Sequence, residues 1–228
     1  MAEKEITIAL AGNPNSGKTT VFNNLTGARQ HVGNWPGVTV EKKEGSCSYQ
    51  GYHIKVVDLP GVYSLTAYSP DEVIARDFIV DEKPDAVVDI VDASNLERNL
   101  YLAVQILEMG APLIIALNMM DEAESRRYQI DVKALAQEIG APVVPMVANR
   151  NRGTNELLEE IIKVTEREVR MDGVKIGYGQ ELENEIAKLE ELISQNPLSL
   201  NYPSRWLAVK LLEGDEEVIK KFTETKAG

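Results

Sequence analysis

The chain has little of what several classes of protein require. It carries one cysteine, Cys47, and two histidines in 228 residues. A single cysteine excludes an internal disulfide and is typical of a reducing compartment. His31 and His53 are too few, with one cysteine, for a zinc site of the usual kind.

Long apolar runs and an excess of basic residues are also missing. No stretch approaches the ~18 consecutive apolar residues of a membrane span. Three charged residues, Glu3, Lys4 and Glu5, precede the first apolar run, which argues against a signal peptide. With 36 acidic and 24 basic side chains the net charge is −12, which argues against a broad nucleic-acid surface. We therefore expect a soluble polypeptide with an ordinary hydrophobic content of 43%.

Apolar strands alternate with helices along most of the chain. This order predicts an α/β fold, a mainly parallel sheet with helices on both faces, in which ligands bind at the carboxyl ends of the strands. A Gln50-Gly51 pair predicts a hairpin, and the Pro and Gly residues within 28–39 predict an irregular segment. The predicted strands cover residues 6–11, 38–48, 53–57, 86–91, 113–117 and 142–147. The first predicted helix begins after residue 18 and ends near Gly27. The other predicted helices cover residues 71–79, 96–107, 132–139 and 155–169.

The pattern changes near residues 171–179, where three glycines interrupt any apolar period. We place a domain boundary there, with a first domain of residues 1–170 and a second of residues 171–228. Beyond the boundary Leu182, Ile186, Leu189 and Ile193 recur at helical spacing. No strand pattern follows, so the second domain is predicted to be small and all-helical.

Residues 12–19 carry the strongest motif. They read Gly-Asn-Pro-Asn-Ser-Gly-Lys-Thr and match G-x-x-x-x-G-K-[ST] between a predicted strand and a predicted helix. In that setting backbone N–H groups and a helix N-terminus face a polyphosphate. Lys18 is expected to reach the outer phosphates and the Thr19 hydroxyl to bind Mg²⁺; a chance match in a Gly/Asn turn is the alternative. The predicted contacts are Asn13, Pro14, Asn15, Ser16, Gly17, Lys18, Thr19 and Thr20.

Four further elements follow in order, each at a predicted strand end or in the irregular segment. The Thr39 hydroxyl is expected to complete Mg²⁺ coordination, Asp58 to hold Mg²⁺ through water, and the Gly61 N–H to sense the γ-phosphate. Asn118-x-x-Asp121 is expected to select guanine, because the Asp carboxylate accepts both N–H donors of its Watson–Crick edge. The other predicted nucleotide contacts are Gly33, Trp35, Gly37, Val38, Met119 and a base-packing loop of Val147, Ala148 and Asn149.

Taken singly, these elements are weak signals. Asn118 and Asp121 can instead cap the next segment, and threonine is common in strands. Their joint occurrence in one order predicts a guanine-nucleotide switch.

The motifs resemble the GTPase superfamily and, within it, the cytosolic N-terminal part of FeoB-type ferrous iron transport proteins. The resemblance is carried by residues 12–19, by Asn-Trp-Pro-Gly-Val-Thr at 34–39, and by residues 58–65, 97–101 and 118–121. It implies a GTPase domain, a helical domain that slows nucleotide release, and a polytopic membrane domain for Fe²⁺. That last part is absent, so we expect an excised cytoplasmic portion of a prokaryotic plasma-membrane protein. Iron is not expected to bind here, because no His/Cys/Asp/Glu cluster has ligand spacing.

The sequence departs from related GTPases at two positions of the predicted site, and Asn15 offers a replacement for a missing catalytic side chain. Ala148-Asn149 stands where family members often carry Ser-Ala or Ser-Thr, and Val62 where Ras-like enzymes place a water-orienting Gln. In related GTPases an Asn at the position of Asn15 holds K⁺ with backbone carbonyls, which here are those of Gly33 and Trp35. Alternatively Asn15 only stabilises its loop. The predicted catalytic residues are Asn15, Lys18, Thr39 and Gly61, with a slow intrinsic rate stimulated by K⁺.

Other assignments remain open at this stage. Asp71 and Glu72 match acidic positions thought to steady the switches, or they form an exposed first-turn pair favoured by the helix dipole. An RNA- or ribosome-associated, K⁺-dependent GTPase is the alternative function, although the tail is acidic and lacks a KH-type G-x-x-G loop. The expected partner is the membrane domain of the same transporter, with further copies of the chain as a second candidate and no nucleic acid.

Overall fold

One seven-stranded sheet forms the centre of the first part of the chain. A computed structural model describes residues 3–66, 68–166, 177–195 and 202–224. The strand order is β2-β3-β4-β1-β5-β6-β7; β4, β1, β5, β6 and β7 run parallel, whereas β2 and β3 are antiparallel to their neighbours. The mainly parallel α/β prediction is confirmed. The strands are β1 Lys4–Gly12, β2 Gln30–Asn34, β3 Glu41–Tyr49, β4 Tyr52–Asp58, β5 Ala86–Asp92, β6 Leu113–Asn118 and β7 Val143–Pro145.

Helices cover both faces of this sheet and are the regular elements of the later part that is described. The first six are α1 Lys18–Thr26, α2 Pro70–Asp77, α3 Leu96–Glu108, α4 Met120–Ser125, α5 Val132–Ile139 and α6 Thr154–Thr165. The last three helices form the helical unit that the apolar spacing after residue 179 predicts. They are α7 Gln180–Ser194, α8 Ser204–Leu212 and α9 Glu216–Glu224. Most of the predicted boundary region, residues 171–176, lies outside the described residues. No helix in the described ranges is both long and apolar enough to cross a bilayer.

The apolar core has two layers, one on each face of the sheet. Phe22 of α1 and Leu157 of α6 are buried on one face. Leu102 of α3 is buried on the other face, in a cluster that extends to Trp206 of the helical unit. Burial of such side chains stabilises the fold by about 1.5–3 kcal/mol each. The central strands are therefore fixed from both sides, and their carboxyl ends form a rigid platform.

Two local predictions need correction. Residues 28–39 were predicted to be irregular, but Gln30–Asn34 forms β2, an edge strand paired with β3. All five residues of β2 are exposed, so its sequence has no apolar alternation from which pairing can be predicted. The strand predicted from residue 38 begins at Glu41 instead, because the Val38 N–H turns back to the Trp35 carbonyl oxygen at 3.3 Å.

The hairpin and the first helix end were predicted correctly. Gln50 and Gly51 connect β3 to β4 with φ of 47° and 84°, the positive values that a two-residue hairpin loop requires. Gly27 follows α1 with φ of 57°, a conformation that favours glycine at a helix end.

Candidate functional site

The loop between β1 and α1 curls tightly at the carboxyl end of the sheet. A Cβ on Gly12 would lie 2.9 Å from the Ile90 carbonyl oxygen, and one on Gly17 would lie 2.3 Å from Asn118 Nδ2. Gly17 also has φ of 90°, so both positions require glycine. The loop therefore has the close backbone approach that a phosphate-binding turn needs.

Polar atoms in this loop are buried without a protein partner among the described residues. They are the Nδ2 and Oδ1 atoms of Asn13 and the Oγ atom of Ser16. Buried polar atoms are normally hydrogen-bonded, so an unpartnered group at a loop of this shape indicates a ligand site. Ser16 and Asn13 fit the predicted contacts to phosphate oxygens.

Lys18 lies at the start of α1 and forms an ion pair with Asp58 at the end of β4. The Lys18 Nζ also donates a hydrogen bond to the Leu59 carbonyl oxygen at 2.7 Å. The two side chains are only 12% and 8% exposed, so each charge is matched by the other in a partly buried place. The structure thus brings together the predicted phosphate lysine and the predicted Mg²⁺ carboxylate. Thr19 follows, exposed, on the first turn of α1.

Gly61 lies against the phosphate-binding loop. The Leu59 N–H donates to the Leu10 carbonyl oxygen at 3.0 Å and the Val62 N–H to that of Gly12 at 3.3 Å. A Cβ on Gly61 would be 3.6 Å from Pro14 Cα. Leu59 and Val62, on either side of Gly61, are therefore attached to β1, and the role of the Gly61 N–H stays a prediction.

Asn118 joins the phosphate loop to the base-packing loop. Its Nδ2 donates to the Ser16 carbonyl oxygen at 2.9 Å, and its Oδ1 accepts from the Ala148 N–H at 2.9 Å. From α1, the Nδ2 of Asn24 donates to the Ala148 carbonyl oxygen at 2.8 Å. Both Asn118 polar atoms are thereby used by the protein. The sequence predicted Asn118 as a base reader and did not predict this bridge, since Ser16 and Ala148 are far apart along the chain.

Asp121, the predicted base reader, is partly exposed at the end of the sheet that carries Asn118. Its side chain is 26% exposed, and Arg150 Nη2 lies 3.6 Å from its Oδ2. The Oδ1 atom accepts from the Glu122 N–H at 3.1 Å. Met119 has φ of 59° and turns the chain between the bridge residue and this carboxylate. Val147, Ala148 and Asn149 adjoin the same edge, with Ala148 and Asn149 in a short 3-10 turn.

Residues 33–39, the predicted first switch, begin in β2, away from the phosphate loop. Trp35 is 8% exposed and meets the Phe78 ring edge-on with centroids 5.6 Å apart. β2 is three strand positions from β1, about 14 Å at the usual strand spacing. Gly33 and Thr39 are exposed, as are Gly37 and Val38 in the same segment. In this conformation Gly33 of β2 lies away from the phosphate loop, and the assignments of Gly33, Trp35 and Thr39 remain predictions.

Glu72 of α2 is hydrogen-bonded to residues 59–66, the segment that carries Gly61 and the predicted second switch. Its carboxylate accepts from the Ser64 hydroxyl at 2.9 Å and from the N–H groups of Tyr68 at 2.8 Å and Ser69 at 3.3 Å. Of the two interpretations of Asp71 and Glu72, these contacts favour the one in which Glu72 steadies the switch.

Comparison with protein families agrees with these features. Residues 6–161 match the family model described as Ferrous iron transport protein B, and residues 178–227 match the FeoB cytosolic helical domain. The chain belongs to the FeoB family. The α/β and helical parts of the FeoB fold therefore correspond to the sheet and to the α7–α9 unit.

Relatives in the family are longer proteins. An "Fe(2+) transport protein A/Fe(2+) transporter FeoB fusion protein" of Porphyromonas gingivalis is 47% identical over 227 residues, which covers 98% of this chain and 27% of that protein. The Fe(2+) transporter FeoB of Escherichia coli K12 is 48% identical over 218 residues, 93% of this chain and 27% of that protein. The chain thus spans about a quarter of the length of these FeoB relatives.

Solved FeoB structures share the fold. The cytosolic domain of the T. maritima FeoB iron transporter in its GDP form II has a TM-score of 0.91 and 41% identity, over 97% of this chain and 86% of that one. The same domain in its GMPPNP form has a TM-score of 0.89 and 40% identity, over 96% and 86% of the two chains. These matches confirm the predicted fold class.

Proposed function

We propose that this chain binds GTP and hydrolyses it to GDP and phosphate, as the cytoplasmic regulatory module of a prokaryotic Fe²⁺ transporter. The observation that carries the proposal is the Asn118 bridge. It fixes the phosphate loop and the base loop relative to each other, while Asp121 stays accessible beside them. A site built in this way holds both ends of one nucleotide. The FeoB structures in GDP and GMPPNP forms support guanine nucleotides as the ligands.

Phosphate binding requires a rearrangement of the Lys18–Asp58 pair. Lys18 leaves Asp58 and neutralises the outer phosphates, and the unpartnered Ser16 and Asn13 atoms become satisfied. Thr19 and Asp58 offer hard oxygen ligands that suit Mg²⁺, which takes few protein ligands and several phosphate or water oxygens. When bound, Mg²⁺ supplies neutralisation of phosphate charge.

Hydrolysis depends on backbone and loop groups, because Val62 cannot orient water. The Gly61 N–H donates to the terminal phosphate, and the Thr39 hydroxyl approaches from the first switch. Asn15 has one side-chain oxygen, suited to K⁺ together with the carbonyls of Gly33 and Trp35. When bound there, K⁺ supplies positive charge. That arrangement requires residues 33–39 to leave their present position against Phe78.

Nucleotide-dependent movement is the proposed link to the membrane domain. Two segments, residues 33–39 and residues 59–66, take their positions from contacts with the terminal phosphate of GTP. Both segments lie at the same edge of the sheet. Ordering them around GTP and releasing them after hydrolysis changes the surface that a partner contacts. The partner is the membrane part of the same transporter.

The test is nucleotide hydrolysis with MgCl₂, GTP against ATP, in KCl and again in NaCl. We expect turnover of GTP only, with a higher rate in KCl. Asn15→Ala is expected to abolish the difference between the two salts, since it removes the side-chain ligand. Asp121→Asn is the control for base selection and is expected to lose the preference for GTP, because an amide cannot accept both guanine donors. Equal turnover of ATP and GTP by the unmodified chain contradicts the proposal, and an Asn15→Ala variant still stimulated by KCl removes the K⁺ site.

A further inference from the structure

The segment that carries Gly61 is held on one side by β1. The segment is residues 59–66, and two of its N–H groups, those of Leu59 and Val62, donate to carbonyls of β1 at 3.0 and 3.3 Å. Both bonds flank Gly61. Past Val62 there is no further backbone bond to β1 among the described residues, so the second half of the segment depends on other supports.

Helix α3 supplies two of those supports. The Arg98 guanidinium carbon lies 4.2 Å from the centroid of the Tyr63 ring, within the range of a cation–π interaction. The Leu65 N–H donates to Gln105 Oε1 at 2.7 Å. Arg98 and Gln105 are seven residues apart, two turns of helix, and therefore share one face of α3.

The two supports differ in strength. Tyr63 is 43% exposed, so the contact with Arg98 is one at the surface. Leu65 is 1% and Gln105 7% exposed, so their hydrogen bond is buried. Loss of the Gln105 acceptor leaves a buried N–H unsatisfied, which costs more than loss of an exposed contact.

Helix α3 is itself a fixed support. Near its start, Asn99 Oδ1 accepts from the Asp92 N–H at 3.3 Å, and Asn99 Nδ2 donates to the Asn95 carbonyl oxygen at 3.0 Å. Leu102 and Ile106 are fully buried in the core. Contacts from α3 therefore tie the segment to the sheet rather than to a mobile neighbour.

We infer that Arg98 and Gln105 are positioning residues for GTP hydrolysis. By holding Tyr63 and Leu65 they keep the Gly61 N–H directed at the place where phosphate charge develops. The inference rests on the proposed function, since it needs GTP as substrate. Because Val62 offers no side chain to the attacking water, the direction of this backbone donor sets the rate, and a small displacement lowers it.

Single-turnover and steady-state hydrolysis of GTP by variants tests the inference. Arg98→Ala is expected to lower kcat about threefold to fivefold, and Gln105→Leu about tenfold or more, with KM and GDP affinity unchanged. Affinity for GDP with aluminium fluoride, a transition-state mimic, should fall by the same factors. Gln105→Glu keeps an acceptor oxygen for the Leu65 N–H and should recover much of the rate.

A double-mutant cycle isolates the contact between the guanidinium and the ring. Tyr63→Leu should lower kcat as Arg98→Ala does, Tyr63→Phe should keep the rate, and the Arg98→Ala/Tyr63→Leu double variant should be no slower than either single variant. Arg126→Ala, which removes an exposed arginine of another element, is the matched control and should retain the unmodified rate.

Three outcomes overturn the inference. In the first, the unmodified chain hydrolyses GTP and both α3 variants keep its kcat. In the second, the variants lose GDP affinity and thermal stability in proportion to kcat, which shows a structural role only. In the third, the unmodified chain does not hydrolyse GTP, so the proposed function itself fails.

Discussion

Asp89 is an ionisable residue placed where charge is least tolerated. It lies in the middle of β5, paired with Ala11 on one side and Ile115 on the other. It is 1% exposed, and its Oδ2 has no hydrogen-bond partner among the described residues. Burial raises the pKa of Asp89 to about 8, because lost hydration disfavours the charged carboxylate. The folded protein therefore holds a neutral carboxyl near pH 7.

The pH dependence of stability follows from that shift. A pKa raised on folding means that the folded state binds the proton more tightly than the unfolded state. The Asp89 contribution to the free energy of unfolding is therefore fully present below pH 4 and is lost as pH rises to about 8, by about 1.4 kcal/mol per pH unit. Asp89→Asn should remove this component and be more stable than the unmodified chain at pH 9.

Urea unfolding at pH 5, 7 and 9 measures the effect. Asp71→Asn, a change at an exposed position, is the control and should leave the pH profile unchanged. A parallel fall in stability with pH for Asp89→Asn and the unmodified chain excludes Asp89 as its source.

At the scale of elements, secondary structure was predicted correctly where a sequence pattern is compatible with only one type of element. Apolar runs predicted the buried strands, and glycine-rich turns followed them. Prediction failed for β2, because an exposed edge strand is defined by backbone pairing and leaves no apolar alternation in the sequence. The hydrogen bonds of Gln105 and Asn118 were also missed, since their partners Leu65 and Ser16 become neighbours only once the sheet has formed. Sequence motifs predicted the phosphate loop and the base-packing loop, whereas the hydrogen bonds between these loops are tertiary contacts that no motif encodes.

The first switch is an element with two expected positions. Trp35 packs against Phe78, with the Lys42 Nζ 4.8 Å from its ring centroid. GMPPNP with MgCl₂ and KCl should draw residues 33–39 toward the phosphates and expose the indole. We expect a red-shifted tryptophan emission and stronger acrylamide quenching, since Trp206 is 4% exposed in the helical unit. Trp35→Phe should abolish the change; a full change in that variant assigns it to Trp206 and contradicts the prediction.

At the scale of the whole molecule, a buried ion pair among the described residues connects the two parts of the chain. Arg76 of α2 lies 2.9 Å from Asp215 before α9, with side chains 1% and 5% exposed. Asp215 also accepts from the Val218 N–H at 3.1 Å at the start of α9. α2 begins just after the second switch, so this pair fastens the helical unit to the element that follows the nucleotide site.

Removal of one partner should be far more costly than removal of both. Asp215→Ala leaves the Arg76 guanidinium buried, with Asp77 Oδ1 3.2 Å from its Nε, and should lower the free energy of unfolding by about 3–5 kcal/mol. Glu185→Ala, which breaks the exposed pair with Lys188 in the same unit, should cost at most about 1 kcal/mol.

The double variant Arg76→Met/Asp215→Leu decides what the pair contributes. Matched apolar side chains leave no buried charge, so its stability should recover toward that of the unmodified chain. Thermal and urea unfolding of the four proteins measure this. Two results together show that the pair acts through charge matching rather than net attraction. The double variant is then as stable as the unmodified chain. Asp215→Ala alone then unfolds in two steps, because the sheet and the helical unit no longer unfold in one cooperative transition. If Asp215→Ala costs no more than Glu185→Ala, the buried pair does not fasten the two parts.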